Sequence, residues 1–142
     1  MGMAKFASTA SKDTSRQVGA VIVDSEGGVL CTGYNGAPRG VNDNRVTRLE
    51  RPEKYLWMEH AERNCIYQAA REGIRIKNTT IYVYISDEPR LPVCSECARA
   101  IIQSGISTVV QRKQKETEPR WLHSSMVAGV MLNEAGVVRR FI

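Results

Sequence analysis

A chain of 142 residues, 42% hydrophobic and 25% charged, has the make-up of an ordinary globular domain with one core. No apolar run is long enough to cross a bilayer, and the opening MGMAKFASTASK lacks both the apolar stretch of a secretory leader and a sixth-position Ser or Thr for myristoylation. A net charge of +5 favours anionic partners such as nucleotides, but the basic residues are dispersed, so neither a membrane nor a nucleic-acid partner is expected.

Residues 1–142 read as a single domain, expected in the cytoplasm. There the four cysteines, Cys31, Cys65, Cys94 and Cys97, are thiols or metal ligands rather than disulfides. KFASTAS is a short helical candidate ended by turn residues around Asp13. QVGAVIVD, at 17–24, is apolar and β-branched and reads as a buried strand; SEGG turns the chain, and VLCTGYN, at 29–35, is its hairpin partner. Residues 36–56 are polar, with Gly, Pro and several arginines, and read as a long functional loop. A helix is expected from Met58 to Arg71, with Gly73 as its stop.

TTIYVYI reads as a strand. Residues 94–104 form a helix with Ala98, Ile101 and Ile102 on its apolar face and Gly105 after it. STVVQ is another strand, and the run QRKQKE at 111–116 is a solvated loop. Pro119 opens a long helix carrying Leu122, Met126, Val130 and Met131, closed by Gly136, and VVRRFI ends as a strand. A hairpin followed by alternating helices and strands predicts an α/β sandwich with a mixed sheet between helical layers.

Two segments carry chemistry, and both sit where a helix begins. Cys94 and Cys97 are three residues apart and share one helix face, where the positive helix end favours thiolate. His60 can add an imidazole, and two sulfurs with one nitrogen leave one tetrahedral position open, the mark of catalytic rather than structural zinc. Glu62, two residues after His60, is placed to move protons to and from a water in that position. Other readings stand beside this one. A Cys-x-x-Cys at a helix start also suits a redox pair or half of a structural zinc site. Such a site needs a fourth ligand from His123, Cys31 or Cys65. Cys65 lies on a small apolar row with Ala61 and Ala69, Cys31 lies in a strand, and both read as core; His123 reads as surface or packing.

HAE at 60–62 with PVCSEC at 92–97 resembles the zinc-dependent nucleoside and nucleotide deaminases, whose signature and mechanism are well described. VGAVIV, GYNGAPRG, HAERNCIYQAAREG and CARAIIQSGI carry the likeness to the deoxycytidylate (dCMP) branch, over about residues 11–136. The resemblance implies the cytidine deaminase-like three-layer α/β/α sandwich with about five strands. It also implies zinc-dependent hydrolysis of dCMP to dUMP and ammonia. His60, Cys94 and Cys97 would hold one zinc per subunit, since the 36–59 loop has no Cys or His for a second; Glu62 would shuttle protons. The backbone N–H of Ala61 would hold the base carbonyl.

Asn35 would touch substrate, though Asn-Gly is also a common turn pair. Arg39, Arg45 and Arg48 are candidates for the substrate phosphate. Tyr34 would pack on base or sugar, or belong to the core. Arg71 would lie near interface or effector phosphate, or simply face solvent. The resemblance also implies a homo-oligomer, with a hexamer favoured, and Mg2+ accompanying any nucleotide effector. Val93 intervenes where relatives place Pro directly before the first cysteine, and Gln68 replaces a more apolar residue, which weakens the case for triphosphate regulation. The alternatives are a deaminase of the same fold acting on another nucleotide, a nucleoside or tRNA adenosine, and a non-catalytic zinc-binding accessory module.

Overall fold

The computed structural model describes residues 1–86, 93–113 and 119–142, apart from the side chain of Arg120. Pro92, and with it the start of the Pro92-Val93-Cys94 path, lies outside the described residues, as do positions 114–116 of the expected 111–116 loop. Five strands, β1 (Val18–Val23), β2 (Val29–Tyr34), β3 (Thr80–Ile85), β4 (Thr108–Gln111) and β5 (Val138–Phe141), form one sheet in the order β2-β1-β3-β4-β5. β1 pairs antiparallel with β2 and β3, whereas β3–β4 and β4–β5 are parallel. Parallel neighbours need long crossovers, and the helices α4 (Ser95–Gln103) and α5 (Pro119–Glu134) supply them. The mixed sheet expected from the sequence is therefore present, with a helical layer on each face.

Alternation along β1 divides the core. Ala20 and Ile22 point to one face, with α3 (Ala61–Arg71), α4 and α5; Val21 points to the other and packs with Ala4 of α1 (Gly2–Ser8) and Tyr84. Two glycines permit the close approach of helix to sheet. A Cβ on Gly19 would fall 2.0 Å from the Ala4 carbonyl oxygen. A Cβ on Gly33 would fall 2.5 Å from both the Ala61 carbonyl oxygen and the Cys65 amide nitrogen. The small row Ala61, Cys65 and Ala69, fully buried, is thus seated directly on β2. This contact fixes the height of the α3 N-terminus above the sheet.

Two expectations need correction. The loop 36–56 contains a 3₁₀ turn, Val46–Arg48, and the start of a four-residue helix, α2 (Lys54–Trp57). The helix expected from Met58 begins only at Ala61. Glu59 exchanges both backbone hydrogen bonds with Gly36, at 3.1 and 2.8 Å, which holds residues 58–60 extended and makes His60 the N-cap. On α5, Leu122, Met126 and Val130 lie on the exposed side, while Ser125, Ala128 and Leu132 face inward. Among the described residues, no helix is long and apolar enough to cross a membrane.

Candidate metal centre and adjoining pocket

The N-termini of α3 and α4 meet. His60 precedes α3 with extended backbone, and Cys94 precedes α4 in the same way, so each ligand-type side chain hangs at the mouth of its helix. Cys97 lies one turn into α4, fully buried. His60 Nδ1 is 3.5 Å from Cys94 Sγ and 3.4 Å from Cys97 Sγ, and the three atoms lie within 4.8 Å of one another. A sulfur and a nitrogen bound tetrahedrally to one zinc ion, at bond lengths of about 2.3 and 2.05 Å, stand about 3.6 Å apart. The observed spacings match that value, and the donor set of two thiols and one imidazole suits zinc. Among the described residues this is the only such grouping of three His, Cys, Asp or Glu side chains.

Without metal the trio shares protons. Hydrogen bonding from Cys97, and then from His60, lowers the Cys94 thiol to about 4 against the cost of its burial. The contact with Cys94 raises His60 to about 9, and the same partner together with burial pushes Cys97 well up. Cys94 thus offers a thiolate, and His60 and Cys97 carry the protons that a binding cation would displace. Glu62, on the first turn of α3, is 5% exposed, and burial pushes its carboxyl up.

A pocket of about 350 Å³ opens over this cluster and is bordered by His60, Ala61, Glu62 and Cys94. Asn35 also borders it, but its side chain is engaged with the protein. Its Oδ1 accepts the Val18 N–H at 2.7 Å, and its Nδ2 donates to the Arg16 carbonyl at 2.9 Å and to Asp13 Oδ2 at 3.3 Å. The residue therefore braces the start of β1 at the pocket wall. Tyr34, Arg39 and Arg71 do not border the pocket. Tyr34 is half exposed, and its carbonyl accepts from Asn64. Arg39 donates to Gln68, and Arg71 is exposed beside Glu72. Arg48 stacks 3.9 Å over the Trp57 ring and bonds the Asn42 carbonyl, so it too is used elsewhere.

Several pocket residues had no signal in the sequence pattern. Arg16 and Arg51 line it, as do Tyr55 and Trp121, which form an edge-to-face pair with centroids 6.2 Å apart. Asp13 and Lys54 form a buried ion pair on the same wall, at 2.8 Å, with Ser15 as a further partner of the ammonium. Burial alone would raise the Asp13 carboxyl; the hydrogen bonds from Lys54 and Ser15 outweigh it and hold the group below its usual range. Asp13, Ser15 and Arg16 read in sequence only as turn residues before β1. Lys54 is buried because α2 packs where a loop was expected.

The model for the cytidine and deoxycytidylate deaminase zinc-binding region matches residues 1–113. Human deoxycytidylate deaminase is 34% identical over 148 aligned residues, covering 100% of this chain and 77% of its own. A deaminase encoded in the luxG 3′ region of Aliivibrio fischeri is 40% identical over 136 residues, covering 95% of this chain and 85% of its own. The crystal structure of a dCMP deaminase from the cyanophage S-TIM5 superposes with a TM-score of 0.73, at 23% identity, over 99% of this chain and 92% of that one. That likeness establishes the fold.

Proposed function

The chain belongs to the cytidine and deoxycytidylate deaminase family, and we propose on that basis that it hydrolyses the C4 amino group of dCMP, giving dUMP and ammonia with zinc as cofactor. The observation that carries this reading is the meeting of His60, Cys94 and Cys97 beside the buried Glu62 at the base of one pocket. His60 Nδ1 and the two sulfurs would hold the metal. When bound, zinc supplies Lewis acidity that brings a coordinated water toward neutral pKa.

The remaining work falls to the chain. Glu62 accepts a proton from the attacking water and delivers it to N3 of the ring; it then takes the remaining proton from the hydroxyl added at C4 and passes it to the amine, which leaves as ammonia as the C4 carbonyl forms. Its burial keeps solvent from intercepting these transfers. The backbone N–H of Ala61 is among the first-turn donors that α3 leaves without an intrahelical acceptor, and it meets the base carbonyl. Asn35 supports the same wall through its bonds to Val18, Arg16 and Asp13. Arg16 and Arg51, rather than the arginines at 39, 45 and 48, are placed to meet the 5′-phosphate, because they line the pocket. Tyr55 and Trp121 offer apolar edges to base or sugar.

Residues 1–142 act as one domain in this reading, supported by a core cluster that draws on β1 through β4 and on α3 to α5. A homo-oligomer, a hexamer by the family resemblance, is supported by the exposed Leu122, Met126 and Val130 on α5. Four cysteines kept as free thiols support a cytoplasmic setting.

The test is ammonia release from a panel of dCMP, CMP, deoxycytidine, purine nucleotides and tRNA. Turnover of dCMP well above the rest is expected, with Arg51→Ala raising KM for dCMP but not for deoxycytidine. If dCMP is inert while a purine nucleotide or tRNA is turned over, the substrate is wrong and only the chemistry survives.

A further inference from the structure

The metal donors come from two pieces of chain that the sequence separates widely. His60 ends the extended segment before α3, and Cys94 and Cys97 ride on the first turn of α4. A tetrahedral site tolerates little error in their spacing. Something must therefore register the two helix starts against each other before the ion arrives.

One side chain spans the gap. Arg63, on the first turn of α3, donates through Nη1 to Glu96 Oε2 at 2.8 Å and through Nη2 to Glu59 Oε1. Glu59 Oε1 also accepts the backbone N–H of His60 at 3.0 Å. Glu96 sits between the two cysteines on α4. A single guanidinium thus ties the residue that steadies the imidazole to the residue flanked by both sulfurs. The planar fork of arginine suits this geometry, since it serves two carboxylates at once in fixed directions; the point charge of lysine does not. Arg63 and Glu59 are each about one-fifth exposed, so the pair between them is shielded from water more than an ordinary surface ion pair. On the opposite flank α4 has its own anchor: the Ser124 hydroxyl of α5 accepts the Ser95 N–H at 3.0 Å.

We propose that Arg63 is a positioning residue for the metal centre: by bridging Glu59 and Glu96 it holds the His60 and Cys94–Cys97 halves at metal-binding distance and slows release of the ion. The proposal rests on the reading of those three residues as zinc ligands and not on the identity of the substrate. Release requires the two halves to part, and the bridge opposes that parting. Arg63, Glu59 and Glu96 also border the pocket, so release of the ion, rather than turnover, is the readout that isolates this role.

The experiment is transfer of zinc from the full-length, zinc-loaded protein to an excess of a chromophoric chelator. Arg63→Gln is expected to release zinc about 10-fold faster, the low end for groups that orient a metal ligand. Glu96→Gln, at an exposed position that the fold does not need, accelerates release in the same direction. The double variant releases no faster than Arg63→Gln alone, because both changes cut one bridge. Arg63→Lys falls between Arg63→Gln and wild type. After zinc removal, Arg63→Gln and wild type unfold at the same urea concentration. Unchanged release in both single variants, or additive effects in the double, overturns the proposal. So does faster release matched by an equal loss of stability in the metal-free protein, which marks a general structural role. A wild-type protein that holds no zinc overturns the metal reading and this proposal with it; zinc held with unaltered release in the variants overturns this proposal alone.

Discussion

The four cysteines fall into two pairs within one core cluster, and their immediate neighbours divide them. Cys94, which borders the pocket, and the fully buried Cys97 both meet an imidazole next to two helix N-termini. Cys31 and Cys65 stand 3.7 Å apart between β2 and α3, enclosed by core side chains, with the Cys65 thiol donating to the Cys31 carbonyl at 3.4 Å. In the first pair Cys94 is driven to about 4 by Cys97 and His60. In the second, the contact with Cys31 and burial drive the Cys65 thiol far up, while the hydrogen bond from Cys65 lowers Cys31. The same side chain is a metal donor in one place and a small apolar filler in the other. Its third neighbour decides which: an imidazole that opens to a pocket, or a backbone carbonyl inside a closed core.

The widest separation between the pairs should come from Cys97→Ser. It removes a ligand, and deaminase activity should fall by more than about 10³-fold, beyond the roughly 10–100-fold cost of losing a group that only orients a ligand. Metal analysis of the purified variant checks that zinc is lost with it. Glu62→Gln tests whether metal and chemistry are separable. It should keep its zinc and lose about 10²–10⁴-fold in kcat, the usual contribution of a proton-transferring side chain.

Thiol labelling of the metal-free protein probes the contrast directly. Cys94 has a lowered folded pKa, so its contribution to stability is in place above the unfolded thiol value of about 8.5 and disappears as pH falls through about 4. His60 has a raised folded pKa, so its contribution is in place below about 6.5 and disappears as pH climbs through about 9. Between those limits the thiolate persists, and iodoacetamide at pH 6 should modify Cys94 first and leave Cys65 untouched, with mass spectrometry reporting the sites. Added zinc should protect Cys94. Labelling of Cys65 in the folded protein at that pH would erase the distinction. The smallest effect belongs to Cys65→Ala, expected to cost about 1 kcal/mol of stability by urea unfolding and to leave zinc content and turnover unchanged.

The metal half of the site was legible in the sequence because it is local. Cys94 and Cys97 share one helix turn, His60 and Glu62 share another, and the residue types leave few other uses. The sheet was legible for a related reason: β1, β2 and β3 are short, β-branched runs between turns, and α4 and α5 alternate with the later strands. The pocket wall was not. Lys54 and Asp13 are 41 positions apart and come together only because α2 forms inside a segment that reads as loop. The start of α3 was misplaced because the Gly36–Glu59 backbone pairing, a long-range contact, overrides the helical tendency of residues 58–60. The partners of the loop arginines were not legible either: Arg39 bonds Gln68, and Arg48 meets Trp57 and Asn42, contacts that no periodicity reveals.

The proposed function depends on a metal held by three protein atoms with one position left for water. X-ray absorption at the zinc edge of the purified protein measures this most directly. The account predicts two sulfur and two nitrogen or oxygen neighbours around each ion, with one light neighbour displaced when a transition-state analogue of cytidylate hydration binds. Three or more sulfurs, or a set of four donors unmoved by the analogue, would contradict it.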